Sequence, residues 1–353
     1  MKNSPLVTAE REKQASLIAK GIAVLAVVAV HALAIYPDTI YTTSDYRLIF
    51  IFLNQLSRFS VPLFLAVSGF GLARKYQHKK VENKHFIWTR IAKLLPQYLL
   101  WSAILFGVLY FGSTWGIEGE SKFFARLLHG NADYHLYFVP LIFQFYLLFS
   151  VILSKIKNRK QLAVLVAASG ILQISWFILL RYVTETKVPG ISSLINDQLQ
   201  YRQTISWFFY FLLGIFLAQF NLDKVRAIKT TGLGILLVTV LGLAWSVNDS
   251  FSLVEQTGRI VYATSFVRLP VFIYATGVIV ATIIYGPIFL DFKTGLRRIM
   301  MVVGKYSYVI YLSHTLFLRI LESFISSEPY SLTLINATLL FAIGIALSVV
   351  EMR

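Results

Sequence analysis

Long apolar runs separated by short polar segments dominate the chain. A helix that crosses the hydrocarbon core of a bilayer needs about 20 predominantly apolar residues. By that rule ten segments qualify: 17–36, 48–73, 94–112, 136–153, 162–180, 204–220, 232–247, 268–287, 305–321 and 331–350. Those at 204–220, 232–247 and 305–321 are short for the task. The polar segments between them alternate in charge. With the N-terminus on the cytoplasmic side, 23 of the 33 Lys and Arg residues fall in inner segments. An odd number of spans would scramble that alternation, so the pattern predicts ten helices with both termini inside. The expected fold class is all-α, a polytopic membrane protein. It forms a single transmembrane domain over 1–353, with 1–16 as a polar cytoplasmic N-terminal segment. The largest outer segments, 113–135, 181–203 and 248–267, carry Trp115, Tyr134, Tyr182 and Tyr201, which could cap an outward-facing cavity.

Composition strengthens this picture. The 353 residues are 57% hydrophobic and 14% charged, with a mean hydropathy of +0.67. Soluble domains average about 45–50% apolar and about 25% charged residues, so the apolar excess must face membrane lipids. The net charge of +16 sits in short inner loops, where it suits an anionic inner leaflet. No basic helix or aromatic platform points to nucleic acid. There is no cysteine, which excludes disulfides, thiolate nucleophiles and zinc–cysteine sites. No H-E-x-x-H, P-loop or G-x-G-x-x-G pattern is present, so metal and nucleotide hydrolysis lack support and no metal is expected. The first sixteen residues are polar and the apolar stretch after them is long enough to span, so no cleavable signal peptide is evident.

Titratable residues inside spans are costly in lipid and mark candidate sites. His31 lies eleven residues beyond Lys20 in the first span, about 16 Å further along a helix and in the outer half of the bilayer. Arg58, in QLSRFSVPLFLAVSGFGL, lies about 15 Å below the outer face. His314, in GKYSYVIYLSHTLFL, lies about 14 Å above the inner loop. The competing readings are structural: a histidine bonded to a neighbouring helix, or Arg58 paired with Asp38 or Asp45. Pro62 and Gly69 predict a bent or unwound second span. Ser68-Gly69-Phe70 would let a ligand approach the backbone or, equally, serve helix packing. His135 opens the fourth span as an interfacial residue that could touch an outer substrate. His78, His85 and His129 read as solvated loop residues. The inner segment from Arg74 to Lys93 holds seven basic residues against Glu82. Arg90 and Lys93 are one helical turn apart, a spacing that suits a phosphate-bearing ligand.

These residues, in this order, resemble the acyltransferase 3 family of membrane acyltransferases, over nearly the whole chain. Lys20 and His31 resemble its basic-x10-His pattern. RFSVPLFLAVSGF, HLYFVPLIFQFYLLF, FFYFLLGIFLAQ and VGKYSYVIYLSHTLFL resemble its later elements. The resemblance implies transfer of acetyl or succinyl groups from cytoplasmic acetyl-CoA or succinyl-CoA to a surface glycan in a bacterial plasma membrane. The similar stand-alone members modify poly-N-acetylglucosamine. His31 would be the essential histidine, and Lys20, Arg90 and Lys93, with Ser68, would hold the coenzyme. Lys20 stands where the family has arginine, and R-I-A-K stands where it has arginine at both ends. Lysine offers a point charge without the bidentate fork.

The mechanism this implies places the coenzyme phosphates at the inner face, with the pantetheine arm reaching up between helices towards His31. His31 would act as general base on a sugar hydroxyl, or form an acyl-histidine. Arg58 would stabilise the oxyanion and His314 would orient the reacting groups. A homo-oligomer and a glycan-synthesis partner are both open. The rival reading is an exporter of polysaccharide or lipid-linked sugar; the absence of paired broken helices in two halves weighs mildly against a repeat-built carrier.

Overall fold

The apolar runs become helices because a backbone in lipid must satisfy its own hydrogen bonds. The computed structural model describes residues 5–34, 42, 45–76, 83–111, 123–186, 201–258, 260–291 and 295–325. Among these residues the secondary structure is entirely helical. In chain order the α-helices are α1 (Pro5–Leu33), α2 (Arg47–Leu56), α3 (Ser60–Tyr76), α4 (Asn83–Phe111), α5 (Phe123–His129), α6 (Phe138–Lys155) and α7 (Arg159–Thr186). They continue as α8 (Phe208–Leu217), α9 (Leu222–Arg226), α10 (Lys229–Thr257), α11 (Ile260–Ala263), α12 (Leu269–Tyr285), α13 (Gly295–Lys305) and α14 (Ser307–Ile325). Short 3₁₀ turns precede α8 and follow α12.

Among the described residues, six stretches are long and apolar enough to cross a membrane: Glu10–Leu33, Arg47–Tyr76, Lys84–Leu109, Arg159–Val183, Thr230–Thr257 and Leu269–Leu290. Phe138–Ile152 and Phe208–Leu217 are apolar but shorter. The chain is therefore an all-α, multi-pass membrane protein. Nine of the ten expected spans coincide with helices; the tenth, 331–350, lies outside the described residues.

Four details depart from expectation. The second span is interrupted at Ser57–Phe59, not at Pro62. Pro62 is the third residue of α3, where its missing N–H is an orphan in any case. The segment 204–220 holds only the ten-residue α8, about 15 Å long and half a hydrocarbon core. It survives because α3 and α7 pack around it. Helix α10 runs ten residues past 247 into the expected outer loop. Its polar outer turns are satisfied from inside: Ser246 donates to Gln55 Oε1 at 2.6 Å and Arg268 donates to Ser250 Oγ at 2.8 Å. The expected inner loop before 305 is largely the helix α13.

Burial separates a central set of helices from a peripheral one. Over the membrane-crossing windows 61% of α1 is buried, against 11% of α10. Leu233, Leu236, Leu237 and Leu241 of α10 are exposed, and lipid is the solvent they suit. In the centre α3 and α8 cross at their small residues. A Cβ on Gly214 would sit 1.9 Å from the Ala66 carbonyl oxygen, and one on Gly69 would sit 2.3 Å from that of Phe211. Gly69 of the S-G-F stretch is thus committed to helix packing. Pro96 lies inside α4, where a proline disturbs the carbonyls one turn back. Near this site the Tyr308 hydroxyl of α14 donates to the Leu94 carbonyl at 2.9 Å and ties the two helices together.

Candidate functional site

Four elements converge at the outer side of the protein. The last turn of α1 carries His31, and the interruption between α2 and α3 carries Arg58. The reversal between α5 and α6 carries Asp133, Tyr134, His135 and Tyr137. Helix α14 carries Tyr311, His314, Thr315 and Arg319. Gly130 makes the reversal: its φ is 70°, and a side chain there would meet the Tyr137 backbone at 2.6 Å. The left-handed conformation and the close approach both select glycine.

Three imidazoles meet here. The His31 ring lies 5.1 Å from that of His314 and 6.2 Å from that of His135, centroid to centroid, and the His135 and His314 rings are 4.9 Å apart. The Tyr134 ring covers His31 at 5.0 Å. His314 is fully buried, and its Nδ1 lies 2.8 Å from the Tyr311 carbonyl. That carbonyl only accepts, so Nδ1 carries the proton and donates, and Nε2 keeps a lone pair. Nε2 has no hydrogen-bond partner among the described residues. His135 is buried as well, which corrects the interfacial position expected of it.

Asp133 anchors the reversal to α14. It is buried, and Arg319 grips it bidentately at 2.8 and 2.7 Å. Thr315 Oγ1 donates to Asp133 at 2.9 Å and the Tyr134 backbone N–H at 2.7 Å. The Tyr311 hydroxyl donates to the His135 carbonyl. Burial alone would raise the Asp133 carboxyl, but His135 and Arg319 outweigh it and hold the group well below the usual carboxylate range.

A cavity of about 400 Å³ opens beside His31, with Asn54, Arg58, His135, Tyr137, Tyr201, Arg202 and Phe266 among its walls. Arg58 donates through Nε to Asn54 Oδ1 at 2.8 Å, and its guanidinium lies 4.5 Å above the Phe266 ring. Aromatic walls with a few fixed polar groups are what a ring-shaped polar ligand requires. The deepest α1 residue in the cavity is Val27. Between it and Lys20 lie Val24 and Ala23, both fully buried. About 10 Å of packed helix thus separates the cavity from Lys20. Among the described residues, the cavity beside His31 does not extend along α1 as far as Lys20.

At the inner side, Lys20 of α1 lies within electrostatic reach of Arg90 and Lys93 of α4. Arg90 sits over the rings of Phe86 and Tyr146, at 5.5 and 5.9 Å. Ser68 does not line the outer cavity, and its neighbour Gly69 is occupied by α8. A second cavity, of about 600 Å³, opens near the start of α1. Its arginines are already paired: Arg11 with Asp291, Arg74 with Glu12, and Arg226 with Asp223.

The structure therefore brings His31, Arg58 and His135 to one cavity, with His314 buried against the two imidazoles, and Lys20, Arg90 and Lys93 to another place. The sequence reading missed Asp133, Arg319, Asn54 and Arg202. Arg319 was discoverable, as a charge five residues beyond His314 on the same helix. Asp133 was hidden as an ordinary loop acid two residues before His135.

The fold defines a multi-pass, all-α membrane protein in which a histidine cluster stands apart from an inner basic group. The chain belongs to the acyltransferase domain family, whose match covers residues 17–351. It is similar to proteins described as probable poly-beta-1,6-N-acetyl-D-glucosamine export proteins of Staphylococcus aureus strains MSSA476, MW2 and MRSA252. Each is 25% identical over 308 residues, covering 84% of this chain and 80% of the relative. No solved structure matches the chain.

Proposed function

We propose that this protein is an O-acyltransferase of the bacterial plasma membrane. It moves an acetyl or succinyl group from cytoplasmic acyl-CoA to a hydroxyl of a cell-surface polysaccharide or glycolipid. The carrying observation is the position of His31. It is the imidazole of the last outer turn of α1, it faces a tyrosine-walled cavity, and two further imidazoles and Arg58 stand around it.

In the proposed reaction the acceptor hydroxyl enters the outer cavity and lies against His31. Its oxygen bonds to the thioester carbonyl carbon as its proton passes to His31. The tetrahedral oxyanion is stabilised by Arg58. The carbon–sulfur bond then breaks, the electron pair leaves on sulfur, and the proton held by His31 passes on to give the free thiol. Lys20, Arg90 and Lys93 hold the coenzyme phosphates at the inner face. The donor arm reaches His31 only when the packing around Ala23 and Val24 parts, so each turnover includes an opening step.

The test is transfer of radiolabelled acetyl or succinyl from acyl-CoA to a poly-β-1,6-N-acetylglucosamine oligosaccharide by the purified protein in proteoliposomes. Transfer that depends on His31 is the expected result. The names of the relatives favour a second reading, export of polysaccharide or lipid-linked sugar. An exporter moves labelled glycan across the vesicle wall and neither binds nor hydrolyses acyl-CoA.

A further inference from the structure

One charged group in the chamber has no part in the reaction just described. Asp133 is 3% exposed, and both its oxygens are saturated. Oδ2 accepts from Arg319 Nη1 and Thr315 Oγ1, and Oδ1 accepts from Arg319 Nη2 and the Tyr134 backbone N–H. An ion pair withdrawn from water is weak evidence for stability, because desolvation offsets most of the attraction. A turn that only needed anchoring could use neutral groups. The carboxylate has one further neighbour: His135 Nδ1 lies 3.5 Å from Oδ2. Both ring nitrogens of His135 are enclosed without a hydrogen-bond partner among the described residues. Its ring stands edge-on to those of His31 and His314. Hydrogen bonds between catalytic groups are often long in an empty site and tighten when it is occupied.

We propose that Asp133 is a positioning residue of this chamber and acts through His135. It keeps the His135 imidazole protonated on Nδ1 and turned so that Nε2 faces the space shared with His31 and His314. Through that ring it supplies the counter-charge for the imidazolium that forms when His31 takes the acceptor proton. Helix α14 fixes the arrangement from three points, Tyr311 on the His135 carbonyl and Thr315 and Arg319 on the carboxylate. The proposal rests on the reading of the chamber as the place of acyl transfer.

The experiment compares Asp133→Asn with Thr315→Val in the purified full chain. Thr315→Val removes one donor from the same carboxylate and leaves its charge beside His135. Acyl transfer in proteoliposomes gives kcat and KM per folded protein, the folded amount being set by size exclusion and thermal unfolding. Histidine ¹⁵N NMR reports the His135 tautomer independently of activity. Asp133→Asn is expected to lower kcat about 10- to 100-fold, as loss of an orienting partner behind a functional histidine does, and to leave KM for both substrates within about twofold. It also redistributes the His135 tautomers. Thr315→Val, which loosens the carboxylate but keeps its charge, is expected to lower kcat at least about threefold less than Asp133→Asn does and to leave the His135 tautomers as in the wild type. Equal kcat losses in the two variants, or a His135 tautomer unaltered in Asp133→Asn, overturn the positioning role. A wild-type protein that transfers no acyl group overturns the acyltransferase reading instead, and the NMR comparison still decides what Asp133 does to His135.

Discussion

The outer chamber and the inner basic group are built on opposite principles. In the chamber Asp133, His135 and His314 are buried, and rigid elements hold them: a reversal made by glycine, an interrupted helix and a grip from α14. The inner group is three cations on two helices, with Lys20 facing Arg90 and Lys93 and aromatic rings under Arg90. Preorganisation suits a place where charge must be stabilised as it develops. Mutually repelling cations suit a place that gains its order when a polyanion arrives. On the proposed reading, one half of the protein is complete before substrate binds, and the other would be completed by it.

Substitutions can break or sharpen this contrast. Removing the central imidazole, His31→Ala, should lower acyl transfer by about 10²- to 10⁴-fold, the usual worth of a positioned acid–base group. Turnover in proteoliposomes measures it, and near-normal turnover would remove the proposed mechanism. Arg319→Ala leaves the buried Asp133 carboxylate without its main partner. It should destabilise the fold by about 3–5 kcal/mol, read as a lower midpoint in thermal unfolding in detergent. The α3–α8 crossing carries none of these polar side chains and serves as a packing control. Gly214→Ala places a methyl against the Ala66 carbonyl and should cost about 1–3 kcal/mol through overpacking. Lys20→Ala or Lys93→Ala should raise KM for acyl-CoA about tenfold, with kcat little changed and the effect weakening in high salt. If these two variants instead abolish turnover at saturating acyl-CoA, the inner group is doing more than binding.

Acid gives the smallest and most specific signal. Asp133 is held below the usual carboxylate range in the folded protein, so the unfolded chain takes up its proton first. The stability it contributes is fully present above the unfolded value, near pH 4. It is lost as pH falls towards the folded value, at up to about 1.4 kcal/mol per pH unit. Asp133→Asn should flatten that acid slope in unfolding curves taken below about pH 4, and an unchanged slope would show that other carboxyls set it.

The helices were legible because lipid imposes one rule on the whole backbone, and apolar runs of the right length obey it. The interruption in the second span was misplaced by three residues because Pro62 signals a break but tolerates the first turn of a helix. The outer turns of α10 look like loop in the sequence because Asp249 and Ser250 are polar and their partner Arg268 lies on a separate segment. The site divides the same way. His31, Arg58 and His314 each announced themselves as titratable groups in apolar surroundings. Their meeting could not be read, because no local pattern states which helices are neighbours. His135 was placed at the interface because nothing in DYHLYF shows that α14 folds over it. Asp133 gives no signal of its own until Arg319 and Thr315 are beside it.

The ten or so ångströms of packed α1 between Val27 and Lys20 have a consequence for the host cell. A catalyst that takes one reactant from each side of an energised membrane could short-circuit the proton gradient at every turnover. On the acyl-transfer reading proposed above, side chains packed at Ala23 and Val24 would work as an airlock: ions and protons would stay on their own sides while only an acyl group is handed across.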